Sequence, residues 1–315
     1  MTPLRNLLSH NHFWRQLRNL QGEGFYSAYD RIRLWSRILK TPPVLTESLS
    51  DRAPVAVHTL TYHRDYLTAI WALKSFYHYS GVSYPLIIHL QGRTNSRMIA
   101  RLGGHFPNAV LITQAQADVD AKRWLTECGY PRLLEARHSS IMMMKLIDFN
   151  IICHTASLLA IDSDVIFFRR PDELLRVVDQ PLDKDLFMHD TASWYNISED
   201  QAITDLRITL APRVNCGVML LSRDERRLAR CEDYLAHPSV SRPSSFIEQT
   251  MYALYASEQD RVGYLPDNYY VSPGSTSLAL SNLVCRHYAG PSRQLLTDEG
   301  IPGLIRTGFL EEILN

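Results

Sequence analysis

The sequence predicts an α/β protein with a largely parallel sheet, and three observations carry that expectation. From Pro54 onward, short apolar runs alternate with stretches of helical periodicity. Hydrophobic residues make up 45% of the 315 and charged residues 21%, which excludes a disordered chain, collagen and a disulfide scaffold. That length leaves one large domain or two ordinary ones open, and it suffices to bury a sizeable core.

The first 40 residues stand apart. Arg5, Arg15, Arg18, Arg31, Arg33, Arg37 and Lys40 give seven positive charges against the two negative ones of Glu23 and Asp30. The segment is therefore +5 and the remainder −5, since the total is zero. Leu4, Leu7, Leu8, Trp14, Leu17 and Leu20 recur at helix-like spacing until Gly22 and Gly24 interrupt them. A second helical stretch runs from about Tyr26 to Leu39, and Thr41-Pro42-Pro43 stops it. Residues 1–50 are expected to form a basic helical extension and residues 51–315 the main domain. The extension either packs on that domain or lies as an amphipathic helix against an anionic membrane.

The main domain reads as follows. Val55 to Thr61 is a buried strand, and Asp65 to Tyr79 a helix with Leu67, Ile70, Trp71 and Leu73 on its apolar face. Leu86 to Leu90 is a strand, Thr94 to Leu102 a helix, and Ala109 to Thr113 a strand. Two helices are expected over about 118–128 and 135–154. Leu158 to Ile161 is a short strand ending at a loop. Val214 to Leu221 and Val284 to His287 are later strands, with a helix from Phe246 to Ala256 between them. No internal repeat appears.

Composition narrows the function classes. Lys plus Arg and Asp plus Glu are 33 each, so the basic excess of a nucleic-acid binder is missing. Cys128, Cys153, Cys216, Cys231 and Cys285 are odd in number, widely spaced and without a CxxC pair, so neither a disulfide framework nor a zinc knuckle is indicated. Reduced thiols in a reducing compartment are expected. No apolar run approaches the roughly 20 residues of a membrane helix, Ala69 to Leu73 being about the longest. The N-terminus shows no apolar signal-peptide core. A soluble, cytoplasmic protein is expected, with peripheral membrane contact through residues 1–40 as the alternative.

The segment richest in chemistry is Asp162-Ser163-Asp164, flanked by Leu158-Leu159-Ala160-Ile161 and Val165-Ile166-Phe167-Phe168. Two carboxylates, one residue apart, sit where an apolar strand ends. The C-terminal edge of a parallel sheet is where ligands bind. A strand points residues i and i+2 to one side, and carboxylates so placed repel unless a cation lies between them. Hard oxygen ligands suit Mg²⁺ or Mn²⁺, which commonly bridge phosphate oxygens. A solvated acidic turn is the bland alternative, which the flanking apolar runs disfavour.

This stretch resembles the Asp-x-Asp motif of GT-A fold, nucleotide-sugar-dependent glycosyltransferases, most of all the family-8 enzymes of the glycogenin and galactosyltransferase kind. Five further segments match in the family's order over about residues 55–293. Thr59-Leu60-Thr61-Tyr62-His63-Arg64-Asp65-Tyr66 resembles the strand and turn that hold base and ribose. Tyr66 matches a tyrosine near the base, with Thr59, Leu60, Tyr62 and His63 at neighbouring contact positions. Lys145, 17 residues before Asp162, is close to a donor-binding lysine. Asn215-Cys216-Gly217-Val218 resembles an Asn-x-Gly-Val strand whose asparagine faces the sugar, and Glu248-Gln249 an Asp-Gln pair. His287-Tyr288-Ala289-Gly290 resembles a His-aromatic-x-Gly in which the histidine is the third metal ligand.

The resemblance implies a GT-A domain with a mixed, mostly parallel central sheet flanked by helices. It implies Asp162, Asp164 and His287 as ligands of Mn²⁺ or Mg²⁺, and donor contacts from Ser163, Gly290 and the residues above. Glu248 and Gln249 would stabilise or orient the sugar. The reaction implied is transfer from a nucleotide sugar, preferentially a uridine one, to the hydroxyl of an unidentified glycan, lipid or protein acceptor, with retention. Two departures mark a divergent relative. Arg293 stands at the spacing of a diphosphate-binding lysine without the Pro-Trp that should follow, and Glu248 is one carbon longer than the usual aspartate.

Taken without the family, each residue has an ordinary reading. His287 after an apolar stretch is commonly structural, Asn215 fits a strand-edge turn, and Glu248 and Lys145 fit helix surfaces. Gln249 could face either way on its helix. Met142-Met143-Met144 reads as core. Two other functions use the same strings. One is a haloacid-dehalogenase-type phosphatase with an aspartate nucleophile, against which stand about 100 preceding residues of α/β pattern and a missing Gly-Asp-x-x-x-Asp. The other is a catalytically inactive GT-A domain that only binds a nucleotide sugar or a partner. Acceptor contacts are expected in the loops at 190–212 and 266–282.

Overall fold

The computed structural model describes residues 25–50, 53–240, 245–272, 274, 276 and 278–314. The apolar spacing read over residues 4–20 lies outside them. Helix α1 (Phe25–Ser36) runs into a 3₁₀ turn at Arg37–Lys40, as the second helical stretch predicts. Ile38 is buried, the Trp71 indole donates to the Trp35 carbonyl at 2.9 Å, and Lys74 Nζ donates to Thr41 Oγ1 at 2.7 Å. The described part of the extension thus packs on the domain. Its outer stripe leaves Tyr29, Ile32, Arg33, Arg37 and Lys40 exposed. Among the described residues no helix is long and apolar enough to cross a membrane.

Seven strands form the main sheet. They are β1 (Val55–Tyr62), β2 (Leu86–Gln91), β3 (Val110–Thr113), β4 (Ser157–Ile161), β6 (Asp185–His189), β7 (Val214–Ser222) and β8 (Val262–Tyr264), in the order β3-β2-β1-β4-β7-β6-β8. β1 to β4 are mutually parallel, β7 runs antiparallel between β4 and β6, and β8 is parallel to β6. A small second sheet joins β5 (Val165–Phe167), β10 (Cys285–His287) and β9 (Tyr269–Val271). Strands β5, β6, β8 and β9 have three to five residues each, too short for a period to show in the sequence.

Helices cover both faces of the sheet. Along β4, Leu159 and Ile161 join the core under α2 (Tyr66–Ser80), while Leu158 and Ala160 join the core under α6 (Met143–Ile152) and α9 (Ile247–Glu258). This is the alternation a strand buried on both sides must show. Helices α3 (Ser96–His105) and α4 (Gln114–Cys128) start at Asn95 and Thr113, whose side chains accept from the backbone N–H of Met98 and Gln116.

The helix expected over 135–154 is two helices. α5 (Pro131–Ser139) ends at Ser140, which is extended, and α6 begins at Met143. A long-range ion pair joins the two helices. Arg137 grips Asp148 with two hydrogen bonds of 2.6 and 2.9 Å and reaches Asp118 at 2.6 Å. In one straight helix, residues 11 apart stand about 16 Å from each other along the axis, so this pair forms only with the chain turned back between α5 and α6. Helices α7 (Asp172–Val177) and α8 (Arg226–Ala236) were not anticipated, and α8 packs on α5 and α9.

A histidine pair is buried in the sheet. His58 on β1 and His89 on β2 are fully buried, 3.2 Å apart between Nδ1 and Nε2, with Phe149 against both rings. Burial pushes His58 down to about 3 and His89 well below its ordinary value. Both folded values lie under the unfolded one, so the unfolded chain takes up protons first as pH falls below about 6.5. Stability is expected to drop between pH 7 and 5 by about 2 kcal/mol per histidine from this cause. Chemical denaturation of a His58→Leu, His89→Leu double variant checks it: the variant should lose less stability than wild type over that range, and an equal loss contradicts the account.

Candidate active site

The site forms at one edge of the main sheet. β1 and β4 are parallel, so both end there, and β6 ends there beside the start of β7. After Ile161 the chain turns through Asp162-Ser163-Asp164 into β5. Asp162 N–H donates to the Gly217 carbonyl at 2.8 Å, and Val165 N–H to the Asp162 carbonyl at 3.1 Å. The antiparallel register sets His287 opposite Val165, and Tyr288 N–H donates to the Asp164 carbonyl at 2.9 Å. Residues 162, 164 and 287 therefore meet because of strand pairing. One ligand atom from each lies within 4.8 Å of the others. His287 Nε2 is 3.3 Å from Asp164 Oδ1 and 3.6 Å from Asp162 Oδ2.

A relay behind the histidine determines which nitrogen faces the carboxylates. Asn215 Nδ2 donates to Asp190 Oδ2 at 2.7 Å, and Asn215 Oδ1 accepts the Gly217 N–H at 2.9 Å. The amide orientation follows, so at 2.9 Å His287 Nδ1 is the donor to Asn215 Oδ1. In neutral His287 the Nε2 lone pair then points at Asp162 and Asp164. Two carboxylate oxygens and an imidazole lone pair facing one another repel unless a cation joins them, and this set suits Mg²⁺ or Mn²⁺. Protons feel the same field. Burial alone would lower His287, but Asp164 and Asp162 raise it overall. Burial alone would raise Asp164, but His287 and Arg293 hold it at about 2.

Gly217 makes room for the ring. A Cβ there would stand 2.3 Å from His287 Nδ1 and 2.6 Å from its Cγ. The glycine of the Asn-x-Gly string is thus required by the histidine, 70 residues further on.

Lys145 and Glu248 extend the cluster inward. Lys145 on α6 is buried, with Nζ 2.8 Å from Asp162 Oδ1, 3.4 Å from Glu248 Oε1 and 3.2 Å from the Cys216 carbonyl. Burial opposes its charge, yet Asp162 and Glu248 raise it well above its usual value. Glu248, in the first turn of α9, is pushed up to about 7 by burial, which Lys145 only partly offsets. The two are paired by distance, while Glu248 Oε1 accepts no hydrogen bond. Gln249 Nε2 donates to the Trp194 carbonyl at 3.1 Å.

On the outer side, half-exposed Arg293 binds Asp65 and places Nη1 3.9 Å from Asp164 Oδ2. Gly290, at φ 52°, turns the chain from β10 toward it. Tyr62 is half-buried beside exposed His63, ring centroids 5.5 Å apart, while Tyr66 opens α2 with its hydroxyl bound by Arg101. Ser163 is buried between the two aspartates.

Three sequence expectations change. Asn215, expected to face the sugar, has its oxygen on His287 and Gly217 and an N–H on Asp190. Thr59 is buried on the face of β1 that carries Val57, so its side chain is a core group. Leu60 points into the opposite core layer. Two residues were missed. Asp190 follows β6, Asp185–His189, as Asp162 follows β4, and the apolar run Leu186-Phe187-Met188 before it was the available signal. Asp65, the partner of Arg293, carried no such signal.

No protein-family model matches the chain, and no curated protein matches it. Solved structures do. The apo bifunctional glycosyltransferase WbbM superposes with a TM-score of 0.54 at 15% identity, over 85% of this chain and 52% of that one. The chain thus spans about half of that protein's length. The galactosyltransferase LgtC, in complex with donor and acceptor sugar analogues, gives 0.52 at 16%, over 82% and 96%. Apo mouse xyloside xylosyltransferase 1 gives 0.50 at 14%, over 74% and 96%. The chain has the GT-A glycosyltransferase fold that the motifs implied.

The relay makes a prediction. Gly217→Ala displaces the His287 ring, and Asn215→Ala releases its tautomer. Each should weaken Mn²⁺ binding about 10–100-fold, as loss of an outer-shell partner does. Calorimetric titration with Mn²⁺ measures this, and wild-type affinity in both variants contradicts the relay.

Proposed function

We propose that this protein is a metal-dependent glycosyltransferase that moves a sugar from a nucleoside diphosphate donor, a UDP-sugar, to an acceptor hydroxyl with retention. The observation that carries it is the Asp162-Asp164-His287 cluster at the C-terminal end of β4, with His287 Nε2 3.3 Å from Asp164 Oδ1 and 3.6 Å from Asp162 Oδ2. The GT-A fold supports it.

Asp162, Asp164 and His287 would hold Mn²⁺ or Mg²⁺. When bound, such an ion supplies charge stabilisation to the departing nucleoside diphosphate. The side chains divide the remaining work. Arg293, exposed beside Asp164, offers phosphate oxygens a fork of N–H donors. Tyr62 and Tyr66 lie where β1 passes into α2 and would contact ribose and base. Lys145 holds the Asp162 carboxylate in place through its 2.8 Å contact. Glu248 and Gln249, at the start of α9, would act on charge developing at the sugar ring. Retention places the acceptor hydroxyl on the face that the diphosphate leaves, whose oxygen then accepts the hydroxyl proton. The chain needs no strong nucleophile of its own for that course.

An assay of UDP-glucose and UDP-galactose hydrolysis with added Mn²⁺ separates the readings. Release of UDP supports a transferase, release of inorganic phosphate a phosphatase, and neither product a binding protein. Interactions made mainly in the transition state lower turnover and spare ground-state binding. Gln249→Ala is therefore expected to bind UDP-sugar almost normally and to lose roughly 10²-fold in kcat, about 2.7 kcal/mol. Unchanged kcat contradicts its role.

A further inference from the structure

Two large aromatic side chains stand exposed beside the site. Trp194 is 48% and Phe246 40% accessible. Their rings stack with centroids 5.7 Å apart and planes inclined by 19°. Burying a phenylalanine is worth about 1.5–3 kcal/mol, so a fold that holds two such rings in water forgoes stability.

The backbone beneath them is clamped. Trp194 follows Asp190, the anchor of the Asn215 relay, by four residues, and Phe246 precedes Glu248 by two. The Trp194 carbonyl accepts from Gln249 Nε2, and the Phe246 carbonyl accepts from Thr250 Oγ1 at 2.8 Å. Thr250 Oγ1 in turn accepts the Asn196 N–H at 2.9 Å. Tyr195, between them, donates to the Ala211 carbonyl at 2.7 Å and accepts the Val214 N–H at 2.8 Å. Both rings are thereby tied to the Glu248-Gln249 end of the site while staying open to solvent.

We propose that Trp194 and Phe246 form the acceptor platform, and that the acceptor is a carbohydrate whose pyranose ring lays its C–H face on them. The role as acceptor rests on the transferase reading; the stacking does not. A pyranose matches the surface in two ways. Its apolar face needs a flat ring, and its hydroxyl rim needs polar neighbours, which exposed Thr191 and Ser193 supply. The platform is also small. Among the described residues of segment 190–201 and the start of α9, these are the exposed large apolar side chains. Two rings suit one sugar, whereas an acyl chain needs a longer apolar groove.

Saturation-transfer difference NMR on the full chain with UDP and Mn²⁺ tests this. The probes are methyl pyranosides of glucose, galactose, mannose and xylose, with lactose and maltose. At least one should receive saturation at its ring C–H protons. Trp194→Ala and Phe246→Ala should each weaken that sugar tenfold or more, Trp194→Tyr should restore part of it, and UDP–Mn²⁺ affinity should stay within twofold. Circular dichroism verifies that the variants fold. The platform is overturned if no probe binds wild type, if the variants bind sugar as wild type does, or if Trp194→Ala instead abolishes binding to phosphatidylglycerol vesicles. Failure of UDP–Mn²⁺ to bind wild type sinks the transferase reading, whereas sugar failure with UDP–Mn²⁺ binding intact sinks the platform alone.

Discussion

A line of packed ionisable side chains across the end of the sheet is what the surrounding elements are arranged to hold. It runs Arg293, Asp164, His287, Asp162, Lys145, Glu248, with successive closest approaches of 3.9, 3.3, 3.6, 2.8 and 3.4 Å. Each ion removed from water costs several kcal/mol. The opposite charges of Lys145 and Asp162, 2.8 Å apart, attract by about 6 kcal/mol for an effective dielectric near 20. Removing Lys145 therefore leaves the carboxylates of Asp162 and Glu248 uncompensated, at about 3–5 kcal/mol. His287 occupies the sensitive position, because it faces two carboxylates at once.

The fold serves this line from every side. Parallel β1 and β4 deliver Asp65 and Asp162 to one edge, antiparallel β7 starts there with Asn215, and β6 ends there with Asp190. The small sheet carries His287 into place through its pairing with β5. Lys145 arrives from α6, which the Arg137–Asp148 pair ties to α5. The missing Cβ of Gly217 lets the imidazole lie against β7.

Much of this was legible in the sequence where the signal was local. The apolar runs flanking Asp162-Ser163-Asp164 announced a strand ending in two carboxylates, and the ordered motifs placed Lys145, Glu248 and His287 with them. What stayed hidden depends on distant partners. Helical periodicity passes unbroken through Ser139-Ser140, whereas Ser140 is extended and Arg137 meets Asp148 across the break, a pairing 11 residues apart that periodicity does not show. The reversed direction of β7 leaves no trace in Val214–Ser222, since a strand buried on both faces reads alike either way. Asn215 looked like a ligand contact because the histidine it orients lies 72 residues away.

The central claim is that these carboxylates and this histidine form a divalent-metal site. Electron paramagnetic resonance of Mn²⁺ titrated into the full chain tests it most directly, since free aqueous Mn²⁺ gives a sharp sextet that binding broadens. The account predicts one saturable site in wild type, lost in Asp162→Asn and in Asp164→Asn while both variants keep the wild-type circular dichroism. A free-ion signal that grows in proportion to added Mn²⁺ from the first addition contradicts it, as does undiminished binding in either variant.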